Sequence, residues 1–232
     1  MRVLEDRAER RLIVSGDTLS VYPLRGDWTR VRREYWWQAL TSIDIAPRPT
    51  ALFIGLGGGT QIHLLRLLAA PRRITAIERD PVIVEVAERW FGLREVGGIE
   101  YLCGDASTVV GWLLRVRRRF DLVVEDALYA APVEDSLPLA RALVPLVTPR
   151  GSLVVNRHWR HAAEETAEAL GPHFTDVRLR RVRREGENVL ILCRQPVRPR
   201  GTARGRTRVA PRPTGEVLEG ASRPLQSQGD RP

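Results

Sequence analysis

A chain of 232 residues with 43% hydrophobic and 28% charged content can bury a sizeable core, and its length makes one α/β domain with appendages the default. Its 37 basic residues are all arginine against 28 acids, a formal charge of +9; the absence of lysine reads as genome-level composition as much as selection for acidic partners. Two cysteines, Cys103 and Cys193, exclude a CxxC redox pair and a zinc knuckle. Both are expected to be reduced and buried.

The first residues, "MRVLEDRAERR", are charged and lack the apolar stretch of a signal peptide. No apolar run approaches the roughly 18 residues of a membrane helix, so the expected location is cytoplasmic, with no membrane partner. "RRLIVSGDTLSVYPL" predicts a small β-hairpin and "WTRVRREYWWQALTS" a helix, giving an N-terminal segment over residues 1–47.

From residue 48 short apolar runs alternate with helical patterns. "TALFIGLGGG" is a strand running into glycines, "TQIHLLRLLAA" a helix and "RITAIERD" a strand. In "PVIVEVAERWFGL" Ile83, Val86, Ala87, Trp90 and Phe91 share one helical face, with Asp80 and Pro81 suited to N-cap and first helical position. The strand "IEYLCGD", the helix "ASTVVGWLLRVRR", the strand "FDLVVED", the helix "LPLARALVPLVTP" and the strand "GSLVVN" follow. Repeated β-α units predict an α/β fold with a doubly wound, mainly parallel sheet over 48–195.

After a helix around "HAAEETAEALG", the segment "TDVRLRRVRREGENVLILCRQ" reads as two strands joined at "REGEN", an antiparallel pair closing the sheet. Residues 196–232 are rich in Pro and Gly, carry eight arginines against three acids and show no apolar periodicity, the composition of a disordered tail. Such a tail can bind phosphates; solvation is the favoured reading, and nucleic acid is not the expected partner.

Ligands of open parallel sheets bind beyond the carboxyl ends of the strands. Gly55, Gly57, Gly58 and Gly59 follow the first core strand, and Glu78 ends the second, placed to accept ribose hydroxyls. Asp105, followed by Ala106, ends the third, and Asp126 ends the fourth. A dinucleotide fingerprint prefers glycine where Thr60 stands; an acid on the third strand, suited to an adenine amino group, points to the S-adenosylmethionine fold. Glu125, adjacent to Asp126, faces elsewhere by strand alternation and is expected to be solvated or salt-bridged. His158 and His161 have helical spacing without a third ligand, so no metal is expected.

"ALFIGLGGGT", "ITAIERDPVIVEVAERWFGL", "IEYLCGDAS" and "FDLVVEDA" together resemble the spermidine synthase family, the polyamine aminopropyltransferases, within the class I methyltransferase-like Rossmann fold. The resemblance implies a transferase that takes S-adenosylmethionine or its decarboxylated form. It gives the ribose to Glu78, the adenine amine to Asp105, the sulfonium side chain to the glycine turn, and catalytic positions to Asp126 and Tyr129.

The departures bear on activity. The family's glycine loop carries an Asp where Gly58 stands closest, its second acid after the fourth strand corresponds to Tyr129, and its Tyr-His pair is replaced by Trp36 and Trp37. A protonated amine needs a base, and a tyrosine with a pKa of about 10 is a poor one. Three classes stay open: an aminopropyltransferase with an altered base, a methyltransferase on an unknown acceptor, and a non-catalytic nucleoside-binding protein. A homodimer is compatible with each.

Overall fold

The computed structural model of the chain describes residues 1–184 and 186–197. The tail expected to be disordered thus lies, beyond residue 197, outside the described residues. The first three strands, β1 (Arg2–Glu5), β2 (Glu9–Val14) and β3 (Asp17–Pro23), form an antiparallel sheet in that order. The expected hairpin is β2–β3, turning at Ser15 and Gly16, both with positive φ. The strand β1 was not expected, because an edge strand with little burial carries no apolar alternation. A 3-10 turn at Arg30–Arg33 leads into α1 (Tyr35–Thr41), a shorter helix than the pattern predicts.

The main sheet follows the expected β-α order: β4 (Thr50–Ile54), α2 (Thr60–Ala69), β5 (Arg73–Glu78), α3 (Pro81–Trp90), the short α4 (Leu93–Val96), β6 (Ile99–Cys103), α5 (Ala106–Arg115), β7 (Phe120–Glu125), α6 (Val133–Leu143), β8 (Val147–Arg157), α7 (Arg160–Leu170), β9 (Phe174–Arg184) and β10 (Gly186–Pro196). Its strands lie in the order β6-β5-β4-β7-β8-β10-β9. β4 to β8 pair in parallel, and β10 runs antiparallel to both β8 and β9. Residue 185, in the turn expected at "REGEN", lies outside the described residues.

Strand alternation builds two apolar layers. Ala51 and Phe53 of β4 face a layer with Leu40 of α1, Leu64 and Leu65 of α2 and Ala87 of α3. Leu52 and Ile54 face the other, with Val110 and Leu113 of α5, Leu139 of α6 and Ala163 of α7. Asp80 caps α3 as its position predicts, accepting from the Val82 amide at 2.9 Å. The N-terminal sheet rests on α3 through Leu12, Ile83 and Phe91. Its β3 is tied to α2 by Thr60, whose hydroxyl bonds both the amide and the carbonyl of Val21 at 2.9 Å.

The cysteines divide. Cys193 is buried and its thiol is pushed up to about 12, by burial first, whereas Cys103 is exposed at the last position of β6. The expectation of two buried thiols is corrected there, because an edge strand leaves one face open.

Candidate functional site

The order reverses at β4 and β7, and the carboxyl ends of four strands are tied across that point. Gly55 N–H donates to the Ile77 carbonyl, Asp126 N–H to the Ile54 carbonyl and Gly104 N–H to the Glu78 carbonyl, each at 2.9 Å. Gly55 has φ +88°, and a Cβ there would lie 3.1 Å from the Ala127 amide nitrogen. Only glycine lets the two turns approach so closely.

Between these ends lies a cavity of about 360 Å³, within the range of small-molecule pockets. Gly55, Gly57, Gly59, Glu78, Asp105, Ala106, Asp126 and Tyr129 all reach its wall, beside apolar Ile83 and Leu128. The Glu78 carboxylate accepts from the Leu56 and Asp80 amides, both at 3.1 Å, which fixes it against the glycine turn. Asp105 is the exposed N-cap of α5, accepting from the Thr108 amide at 2.9 Å through Oδ1. That bond is the main cause holding its carboxyl below the usual range.

Gly58 is the exception among the sequence-derived site residues: it does not reach the cavity wall. Its amide donates to Ser20 Oγ at 2.6 Å, and a Cβ there would sit 2.7 Å from the Phe91 ring and 2.9 Å from Ser20 Cβ. It is packed under the N-terminal sheet, so any side chain at this position would meet Phe91 and Ser20.

The two acids ending β7 diverge, as alternation requires. Glu125 is fully buried, not solvated, and pairs with the fully buried Arg157. Its other oxygen accepts from the Ala127 and Leu128 amides at 3.1 and 2.9 Å, so Glu125 shapes the loop on which Asp126 and Tyr129 stand.

Asp126 turns to the opposite face and accepts from the Tyr35 hydroxyl and from Asn156 Nδ2, each at 2.8 Å. Burial raises its pKa to about 7, further helped by the neighbouring Glu125 charge; the bonds from Asn156 and Tyr35 and the Arg157 charge oppose the rise. A carboxyl poised near neutrality can take and return a proton. Tyr35 and Asn156 were missed by the sequence reading. Tyr35 precedes the Trp36-Trp37 pair singled out there, and Asn156 closes an apolar run much as Asp126 does.

Tyr129 donates to Asp17 Oδ2 at 3.1 Å, joining this loop to the β2–β3 turn. Burial, then the charge and hydrogen bond of Asp17, push its hydroxyl up to about 12. Its ring lies against His158, centroids 4.5 Å apart, and burial lowers the pKa of that imidazole. Trp36 belongs to the core at 5% exposure. Tyr35, Trp36 and Tyr129 also border a larger cavity of about 780 Å³.

No family model matches the chain. It is 26% identical over 157 residues to the eEF1A lysine and N-terminal methyltransferase of Danio rerio, covering 62% of this chain and 23% of that protein. It is 27% identical over 131 residues to the polyamine aminopropyltransferase of Vibrio vulnificus, covering 55% and 44%. The chain therefore spans less than half the length of these curated relatives. Among solved structures, human methyltransferase-like protein 13 in complex with SAH superposes with a TM-score of 0.59 at 21% identity, covering 71% of this chain and 82% of that one. The sheet order and this likeness define a class I methyltransferase-like fold.

Proposed function

We propose that the chain is a transferase that binds S-adenosylmethionine and passes its methyl group to an acceptor entering from the larger cavity. The observation that carries this reading is the sealed position of Gly58. An aminopropyl donor ends in a free ammonium that calls for an acid on the glycine turn. Position 58 offers no room for one, with Phe91 and Ser20 where a side chain would start. The likeness to a methyltransferase solved with SAH supports the same choice.

The larger cavity supports an acceptor other than a polyamine. Glu9, Asp17 and Glu34 on its wall are matched by Arg11, Arg30 and Arg33, and Glu9 pairs with Arg11. A polycation would be better met by a surplus of acids.

In this reading Glu78 holds the ribose hydroxyls, Asp105 offers its carboxyl to the adenine amine, and Ile83 and Leu128 flank the base. When bound, the sulfonium group supplies an electrophilic methyl carbon. Asp126, oriented by Tyr35 and Asn156, takes the acceptor's proton, and its pKa of about 7 keeps much of it ionised at neutral pH. Tyr129 positions the loop through Asp17 and is not the base.

Calorimetry with S-adenosylmethionine, its decarboxylated form and SAH tests the proposal. The first and last should bind. Glu78→Ala should weaken SAH at least tenfold, from hydrogen bonds worth about 1–3 kcal/mol, with circular dichroism unchanged. Binding of the decarboxylated form alone, with spermidine formed from putrescine, would overturn the methyltransferase reading.

A further inference from the structure

The amino ends of the parallel strands, opposite the site, gather arginines. Arg48 precedes β4, Arg72 precedes and Arg73 begins β5, Arg117 and Arg119 lead into β7, and Arg150 lies in the first part of β8. All six are exposed. Backbone pairing brings their carriers together: Arg72 N–H donates to the Pro49 carbonyl at 2.9 Å. Asp121 of β7 accepts from the Thr50 amide at 2.9 Å and from Thr148 Oγ1 at 3.0 Å. Four adjacent strands, β5-β4-β7-β8, place these residues along an edge of about 15 Å.

None of the six closes an ion pair or a side-chain hydrogen bond among the described residues, although Arg72 and Arg73 lie in the fields of Asp121 and Glu100. The acids beside them are occupied: Glu100 by Arg118 and Thr75, and Asp121 by Thr50 and Thr148. Elsewhere some arginines are matched, as in Arg10–Glu5, Arg160–Glu164 and Arg194–Asp44, and others, such as Arg7, Arg25 and Arg94, are exposed at separate places on the surface. What sets these six apart is that four adjacent strands carry them to one end of the sheet.

A concentration of guanidinium groups on a rigid edge fits a regularly spaced polyanion. Trp112, 40% exposed in the last turn of α5, adds a ring on which a base can stack. We infer that the amino-terminal end of the sheet is a docking surface for the phosphodiester backbone of single-stranded nucleic acid. It lies a strand's length, about 17 Å, from the ligand cavity, so it anchors the protein and leaves the transfer site free.

The test is fluorescence anisotropy of labelled 20-nucleotide oligo(U) and oligo(dT) with the full chain, across salt concentrations. Arg72→Gln/Arg73→Gln/Arg119→Gln should lower the slope of log affinity against log salt by about 2 and weaken binding at 100 mM salt by about tenfold or more. Arg7→Gln/Arg25→Gln/Arg94→Gln removes the same charge from exposed arginines elsewhere and should have a much smaller effect. Both variants retain the arginines of residues 198–232, so their difference reports on the sheet end. Equal losses in the two triples, or none in the first, would overturn the inference. So would binding to phosphatidylserine vesicles that depends on the first triple while oligonucleotide binding does not. Glu78→Ala should leave oligonucleotide affinity unchanged, which separates this inference from the proposed methyl transfer.

Discussion

The raised pKa of Asp126 has a thermodynamic consequence that needs no knowledge of the acceptor. In the folded chain the carboxyl titrates at about 7, against about 3.9 unfolded. Between those values the folded state holds a proton that the unfolded state has released, so stability falls as pH rises through this window. A difference of about 3 pKa units corresponds to an upper bound on the order of 4 kcal/mol. His63 and His158 act oppositely: burial lowers both, so their contribution is present above about pH 6.5 and is lost as pH falls through their folded pKa. Asp126→Asn isolates the carboxyl, because the histidines cancel in the difference. Urea unfolding of parent and variant from pH 4 to 8 should show the variant gaining relative stability by several kcal/mol, levelling off above pH 7. A pH-independent difference would show that Asp126 titrates as an ordinary carboxyl and would remove it as a neutral-pH base.

Arg157→Met should cost about 3–5 kcal/mol by stranding the buried Glu125 carboxylate. Adding Glu125→Gln should recover most of that, since a glutamine oxygen can still accept from the Ala127 and Leu128 amides; equal urea midpoints for single and double variants would contradict this account. Gly58→Ala should lower stability by about 1–3 kcal/mol through overpacking against Phe91, and Phe91→Leu in that background should restore part of it. An unchanged melting temperature in Gly58→Ala would reopen the glycine turn to a side chain and weaken the case against aminopropyl transfer.

The fold and the cavity at the strand ends were legible for a local reason. Each strand of the parallel sheet is an apolar run, and each acid on the cavity wall ends one, so position along the chain sufficed to place Glu78, Asp105 and Asp126. The surroundings of Gly58 were not legible because a glycine is ambiguous in sequence: it marks equally a turn that opens outward and one closed by a neighbour. Phe91 and Ser20, which close this one, are 33 and 38 residues away. The strand β1 was illegible because "RVLE" has almost no buried face to impose a pattern.

What the sequence did not supply was pairing, and here strand register carries the answer. β7 and β8 run parallel with Glu125 opposite Val155, and successive side chains point to opposite faces. Val123 and Leu153 belong to the layer of α5 to α7, so Glu125 and Arg157 fall on that face and must meet there. Val124 and Val154 belong to the layer of α1 to α3, so Asp126 and Asn156 fall on the other, beside Tyr35 at the start of α1. "VED" and "VNR" are thus one device written twice: two apolar strands end in adjacent polar pairs, and the sheet sorts them by parity. One pair closes a buried ion bond that shapes the loop, and the other sets the carboxyl on the cavity wall. An apolar run ending in two polar residues is therefore worth matching against its neighbours, because the face of each residue follows from the register before any side chain is placed.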